Sequence, residues 1–182
     1  MRDIVLTLVI LGLLPACFTR PWVGILVWSW IGYMNPHLLT WGFAQELPFA
    51  LVVALVTLAG LLASKDRQRI PRDTETVLLL LLWAVFALST LFAQYPVPAR
   101  DQLVKVSKML LMSFVTLMVI NEPRKLRALL FVIAFSIGFF GLKGGVWALL
   151  TGGQFMVLGP PGGSFISSNT GIGLGLNMVL PF

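Results

Sequence analysis

The sequence predicts an all-α, polytopic transmembrane helical bundle with about six membrane segments and the start of a seventh. Two observations carry that expectation. Of the 182 residues, 58% are hydrophobic and only 11% charged, and mean hydropathy is +0.92. A soluble domain of this size needs far more charged surface. The apolar residues also fall in blocks rather than at helical or strand spacing, as a helix requires when hydrocarbon surrounds most of its sides.

The blocks are residues 4–18, 23–33, 48–63, 77–93, 103–120 and 126–150. Crossing the hydrocarbon core takes about 20 helical residues, with a range of about 17–25. The last three blocks meet that length, and 48–63 falls slightly short. The first two are shorter still, and Arg20-Pro21 separates them. They form either two thin crossings or one broken hairpin. Residues 171–182 open another apolar run that stops after about 12 residues, too few to span. Residues 1–182 are therefore expected to be the N-terminal transmembrane domain of a longer protein.

Charge sets the orientation. Lys65, Arg67, Arg69 and Arg72 crowd the connection 64–75, and Arg124, Lys125 and Arg127 crowd 121–127. Two crossings separate these loops, so they share a side, which the positive-inside rule makes cytoplasmic. Segments 35–46, 94–100 and 151–170 then face outward, and they are poor in Lys and Arg. The N-terminus stays open: Met1 is outside if both early blocks cross and inside if they form one broken crossing.

The net charge of +6 does not point to nucleic acid, because the basic residues sit in short connections whose topology already explains them. The single cysteine, Cys17, excludes an internal disulfide and a cysteine-cluster metal site. Its setting, Leu14-Pro15-Ala16-Cys17, faintly resembles a lipoprotein cleavage box. Arg20 and a further apolar run follow where a polar tether belongs, which favours an uncleaved membrane segment.

Four features could carry function. Helical spacing sets Lys105, Lys108, Met112 and Thr116 on one face, with Arg100 nearby. Counted from the start of the fifth block, Lys108 lies one to two turns below the outer surface. Either it snorkels to the headgroups, or it faces inward and holds a phosphate or diphosphate with Arg100 and Lys105. Lys143 interrupts an apolar run and begins a glycine-rich stretch through Gly159, Ser164 and Asn169. That stretch is a turn-rich linker or an anion-binding nest, and it matches no nucleotide-binding loop. His37 is the only histidine, and no carboxylate cluster accompanies it, so no metal site is expected. It is a plain loop residue beside the interfacial anchor Trp41, or an outward acid–base group. Last, the pairs Gly141/Gly145 and Gly171/Gly175 have the spacing of close helix packing. Glu46 and Asp101 are the acidic residues of the outward stretches, so paired-carboxylate catalysis has no support here.

Several of these motifs resemble the N-terminal region of the O-glycosylation ligases associated with exosortase A systems, within the O-antigen ligase and polymerase superfamily. The matching residues are Met34-Asn35-Pro36-His37, Trp41-Gly42-Phe43-Ala44, Pro48-Phe49-Ala50, Lys143-Gly144-Gly145, Gly159-Pro160-Pro161-Gly162 and Ser164-Phe165-Ile166. Lys105 and Lys108 also sit where that family tends to place lysines. The resemblance implies a multi-pass enzyme of the bacterial inner membrane. It would move a glycan from an undecaprenyl-diphosphate carrier to a protein or lipid acceptor at the periplasmic face. It also implies no cofactor, and catalytic residues beyond Phe182. One departure is plain: the family tends to follow Ser-Phe-Ile with acidic residues and two asparagines, whereas this chain has Ser167-Ser168-Asn169-Thr170. The rival expectation is a transporter or flippase-like subunit, with Lys108 and Lys143 as charges along the substrate path.

The orientation is testable by itself. Single cysteines replacing Arg69 and Lys125 should react with an impermeant maleimide from the same face of the membrane. Reaction from opposite faces would overturn the assigned sidedness.

Overall fold

A computed structural model describes residues 2–64, 73–162 and 166–181. All regular structure among them is helical. The helices are α1 (Arg2–Thr19), α2 (Pro21–Met34), α3 (Phe49–Ala63), α4 (Thr74–Leu91), α5 (Pro96–Val119), α6 (Pro123–Leu150) and α7 (Asn169–Val179). Two short 3-10 turns, Pro36–Leu39 and Phe43–Gln45, join α2 to α3. Every apolar block thus becomes a helix, and so does the seventh run.

Of the six expected spans, length and composition support four. Four helices, α1, α4, α5 and α6, are long and apolar enough to cross a membrane, the composition of a membrane protein. With 14 residues in α2 and 15 in α3, these helices reach only about 21 and 22 Å. Several boundaries also move. Pro96, Pro123 and Pro21 each occupy a first turn, where a missing N–H costs nothing. Arg100 therefore lies in the second turn of α5 rather than in a loop, and Arg124, Lys125 and Arg127 lie on the opening turns of α6. There Lys125 pairs with Glu122 at 2.9 Å. The lysine and arginines of the connection 65–72 fall outside the described residues.

The chain divides into two compact units, Met1–Ser64 with Glu122–Phe182, and Lys65–Asn121. In the first, α1, α2 and α3 pack against one another, α2 packs on α6, and α6 packs on α7. One cluster joins Ile10 and Cys17 of α1 to Val27 and Ile31 of α2 and Phe49 and Val53 of α3. Glycines set the spacing. A Cβ on Gly60 would overlap the Phe18 carbonyl, and one on Gly24 would overlap the Thr57 hydroxyl. A second cluster joins Ile137 and Phe140 of α6 to Ile172 of α7, with Met34 and Leu39 against it. The small-residue pairs are only partly used: Gly141 meets Leu176 and Gly175 approaches Ile137, but Gly145 faces open space.

The end of this unit formed by α1's start and α2's finish is held by side chains. Asn35 ends α2 in the left-handed conformation (φ 47°), which lets its N–H bond the Ile31 carbonyl before Pro36. The Asp3 carboxylate accepts from the N–H groups of Gly42 (3.1 Å) and Ala44 (3.3 Å). The beginning of α1 therefore shares an end of the unit with residues 36–46. At the other end, Gly60 of α3 lies against Phe18 of α1. Thus α1 and α2 form an antiparallel pair of separate helices.

The second unit is the hairpin α4–α5. Trp83 Nε1 donates to Ser107 Oγ at 2.8 Å, and Ser107 in turn donates to the Leu103 carbonyl at 2.7 Å. Trp83 lies near the middle of α4, so this bond fixes Ser107 level with that midpoint.

Gly60→Val should destabilise the purified protein by about 1–3 kcal/mol, because backbone at Phe18 cannot yield as a flexible side chain would. Gly12→Ala, at a site with nothing within 4 Å, should leave the melting temperature in detergent unchanged or slightly raised.

Candidate functional site

The cationic residues of α5 form the most distinctive feature of the second unit. Leu103, Val106, Ala99 and Gln102 line a groove with Phe86, Ser89 and Thr90 of α4 and Ala93 just beyond it, and Ser107 bonds to Trp83. At about 100° per residue, Lys105 and Lys108 project from the other side of α5, in line with Asp101 and Met112. Both lysines are exposed, as is Arg100. None of the three has a carboxylate within ion-pair reach among the described residues.

Lys108 adjoins Ser107, which is level with the middle of α4, and α4 has eight residues from Trp83 to Leu91. Eight residues rise about 12 Å. Lys108 thus adjoins a residue that is bonded about two turns before the end of α4. A lysine at a helix centre in lipid costs about 2.5–3.5 kcal/mol. Either the side chain snorkels to the headgroups or an anionic partner offsets the cost.

The other candidates lie in the first unit. Lys143 is exposed on α6, on the face shared by Phe139, Leu142, Val146, Trp147 and Leu150, which line an open groove. Its neighbour Gly144 points the other way and meets Val157. From there the chain runs on through Gly159, whose N–H bonds the Ser167 carbonyl at 3.1 Å. Gly159 leaves no room for a side chain, because a Cβ would overlap the Ile166 carbonyl. Asn35 donates from Nδ2 to the Pro161 carbonyl at 3.2 Å, and Leu38 sits against Gly162. The structure therefore brings the His37 segment and the Gly159–Gly162 stretch together. Asn169 is exposed in the first turn of α7, not in a loop, and the Ser168 hydroxyl caps that helix by accepting from the Gly171 N–H at 3.0 Å. Ser164 lies outside the described residues.

His37 is half-buried, with Phe49 edge-on at 6.1 Å. Its Nδ1 is buried and meets no hydrogen-bond partner among the described residues. Burial pushes its pKa below the ordinary value of 6.5, so the ring is neutral near pH 7. An imidazole already deprotonated at that pH is a competent base but a poor acid. No group of three or more metal-ligating side chains occurs among the described residues.

Sequence reasoning overlooked Asp3 and named Asn35 only as part of a motif. Asp3 clamps the 42–44 turn, a contact across 39 positions that no local pattern announces. Asn35 links two motifs, and its position before a proline at a helix end was the available signal for the left-handed cap.

The family of unknown function DUF5935 matches residues 1–172. No curated protein and no solved structure matches the chain. The chain belongs to the DUF5935 family.

The His37 environment gives a pH dependence. A folded-state pKa below the unfolded value means that the unfolded chain binds the proton more readily. Stability should therefore be full above about pH 6.5 and fall as the pH drops through and below that value. His37→Phe should flatten this acid-side slope in thermal melts between pH 7.5 and pH 5, whereas an unchanged slope assigns it to other groups.

Proposed function

We propose that this member of the DUF5935 family is the N-terminal membrane domain of a bacterial ligase. The enzyme transfers a glycan from an undecaprenyl-diphosphate carrier to a protein or lipid acceptor at the periplasmic face of the inner membrane. The observation that carries the reading is the pair Lys105 and Lys108, with no carboxylate in ion-pair reach among the described residues, on the side of α5 away from α4 and about half-way along that helix. Mid-membrane cations without a carboxylate call for an anion that is itself held in lipid. A lipid diphosphate is such an anion. The motif resemblance around His37, Lys143 and Gly159 supports the same chemistry.

In this mechanism the acceptor nucleophile attacks the anomeric carbon and displaces the diphosphate carrier. Arg100, Lys105 and Lys108 of the second unit are candidates to supply positive charge for the leaving diphosphate, and Lys143 of the first unit is a separate candidate; such charge is the general electrostatic remedy in a dry site. In this reading segments 35–46, 94–100 and 151–170 face the periplasm, and the cationic connections 64–75 and 121–127 face the cytoplasm. Asp3 shares its end of the first unit with residues 36–46, which favours two separate early crossings and an N-terminus on the periplasmic side. The transporter reading uses the same lysines as path charges and differs by forming no new glycosidic bond.

Two measurements test the proposal on the whole membrane-embedded protein. Lys108→Met should insert normally but bind undecaprenyl diphosphate about tenfold more weakly, the loss of about 1.4 kcal/mol expected of one charge-assisted contact. Lys108→Arg should bind as the parent does, and equal affinity in all three reduces Lys108 to a snorkelling residue. Separately, purified protein supplied with lipid-linked glycan should label an acceptor fraction; failure with every acceptor, alongside vesicle-to-vesicle movement of the carrier, would favour the transporter.

A further inference from the structure

The far end of α6 and the segment after it form a surface that an aqueous loop should not have. Leu149 is 85% exposed, Leu150 77%, Met156 78% and Leu158 64%. From Gly144 to Phe182 the sequence contains no charged residue. Contiguous apolar surface of this kind marks a contact with another apolar phase.

Geometry identifies that phase. With Arg127 at one edge of the hydrocarbon, a core of about 30 Å at about 1.5 Å per residue runs out about 20 residues later, at Trp147. Tryptophan is the residue that prefers this boundary. Beyond it the chain reverses through Gly152 and Gly153, both at positive φ (65° and 77°), and the Gly153 N–H bonds the Ala148 carbonyl at 2.8 Å. It then descends along α6. Phe155 meets the Trp147 ring at 6.3 Å, and Val157 meets Gly144, about one turn on the membrane side of Trp147. The segment from Gln154 to Leu158 therefore turns back toward the bilayer from which α6 emerged. Its exposed side chains continue the exposed apolar face of α6 formed by Leu142, Val146 and Trp147.

We infer that residues 149–158 are an interfacial segment whose apolar side chains lie in the headgroup–acyl boundary of the bilayer, rather than a loop in water. Gln154 and the irregular backbone stay at headgroup depth, where water and lipid polar groups satisfy them. Met156 and Leu158 reach the acyl chains. The inference requires that α6 crosses a bilayer, but not a particular sidedness or the ligase activity.

The test uses single cysteines at Met156 and Leu158 in the otherwise unaltered protein, with Glu46→Cys as the aqueous reference. Native Cys17 is fully buried, so the parent is the blank. A water-soluble, impermeant maleimide is added to membranes opened to expose both faces, and then to detergent-solubilised protein. M156C and L158C should lose labelling in membranes relative to E46C and match it in detergent. Labelling equal to E46C in membranes overturns the inference by placing the segment in water. Protection that persists in detergent overturns it too, by placing the segment against protein. Because both faces are open, an error in the assigned sidedness leaves every arm unchanged.

Discussion

A helix in hydrocarbon has no water to receive its polar groups, and most of this structure follows from that restriction. Backbone N–H and C=O groups are satisfied within helices, and hydroxyls are satisfied by the carbonyl one turn back. Thr57 bonds Val53, Ser107 bonds Leu103, Thr116 bonds Met112 and Ser136 bonds Val132, all between 2.6 and 2.8 Å. In soluble helices these side chains compete with the backbone. Here the local bond is the available solution. The same restriction explains why Leu81, Phe131 and Leu142 stand exposed, since lipid covers such residues as well as a protein core would.

An apolar solvent also weakens hydrophobic burial as a means of choosing partners, so close approach takes over. In the first unit the contacts of Gly60 with Phe18, Gly24 with Thr57 and Gly141 with Leu176 bring backbones near enough for dispersion to act along whole helices. The short α2 and α3 fit this arrangement because residues 36–46 close the bundle between them. Asp3, Asn35, Thr40 and Gln45 satisfy the turns there through hydrogen bonds that a water-filled loop would not need.

Against this background the cations matter by their placement. Lys125 is ordinary, paired with Glu122 at the start of α6. Lys108 is not, because Trp83 holds its neighbour Ser107 level with the middle of α4. Lys143 lies one turn before Trp147 on an uncovered face of α6. A charge at such positions either snorkels to the headgroups or meets an anion, and the proposed lipid-diphosphate reading names one of matching chemistry.

By itself the sequence determined the helical class, the places of all seven helices and the membrane setting. Each is the summed solvent preference of consecutive residues, and a block such as 126–150 states it locally. Its lysine positions also showed which charges interrupt apolar runs. Only the tertiary structure decided the register of Ser107 against Trp83, the separation of α1 from α2 and the meeting of the Asn35 and Pro161 motifs. Those are matters of register between helices. A single cross-helix hydrogen bond or glycine contact fixes register, and hydropathy along one strand of sequence carries no information about it.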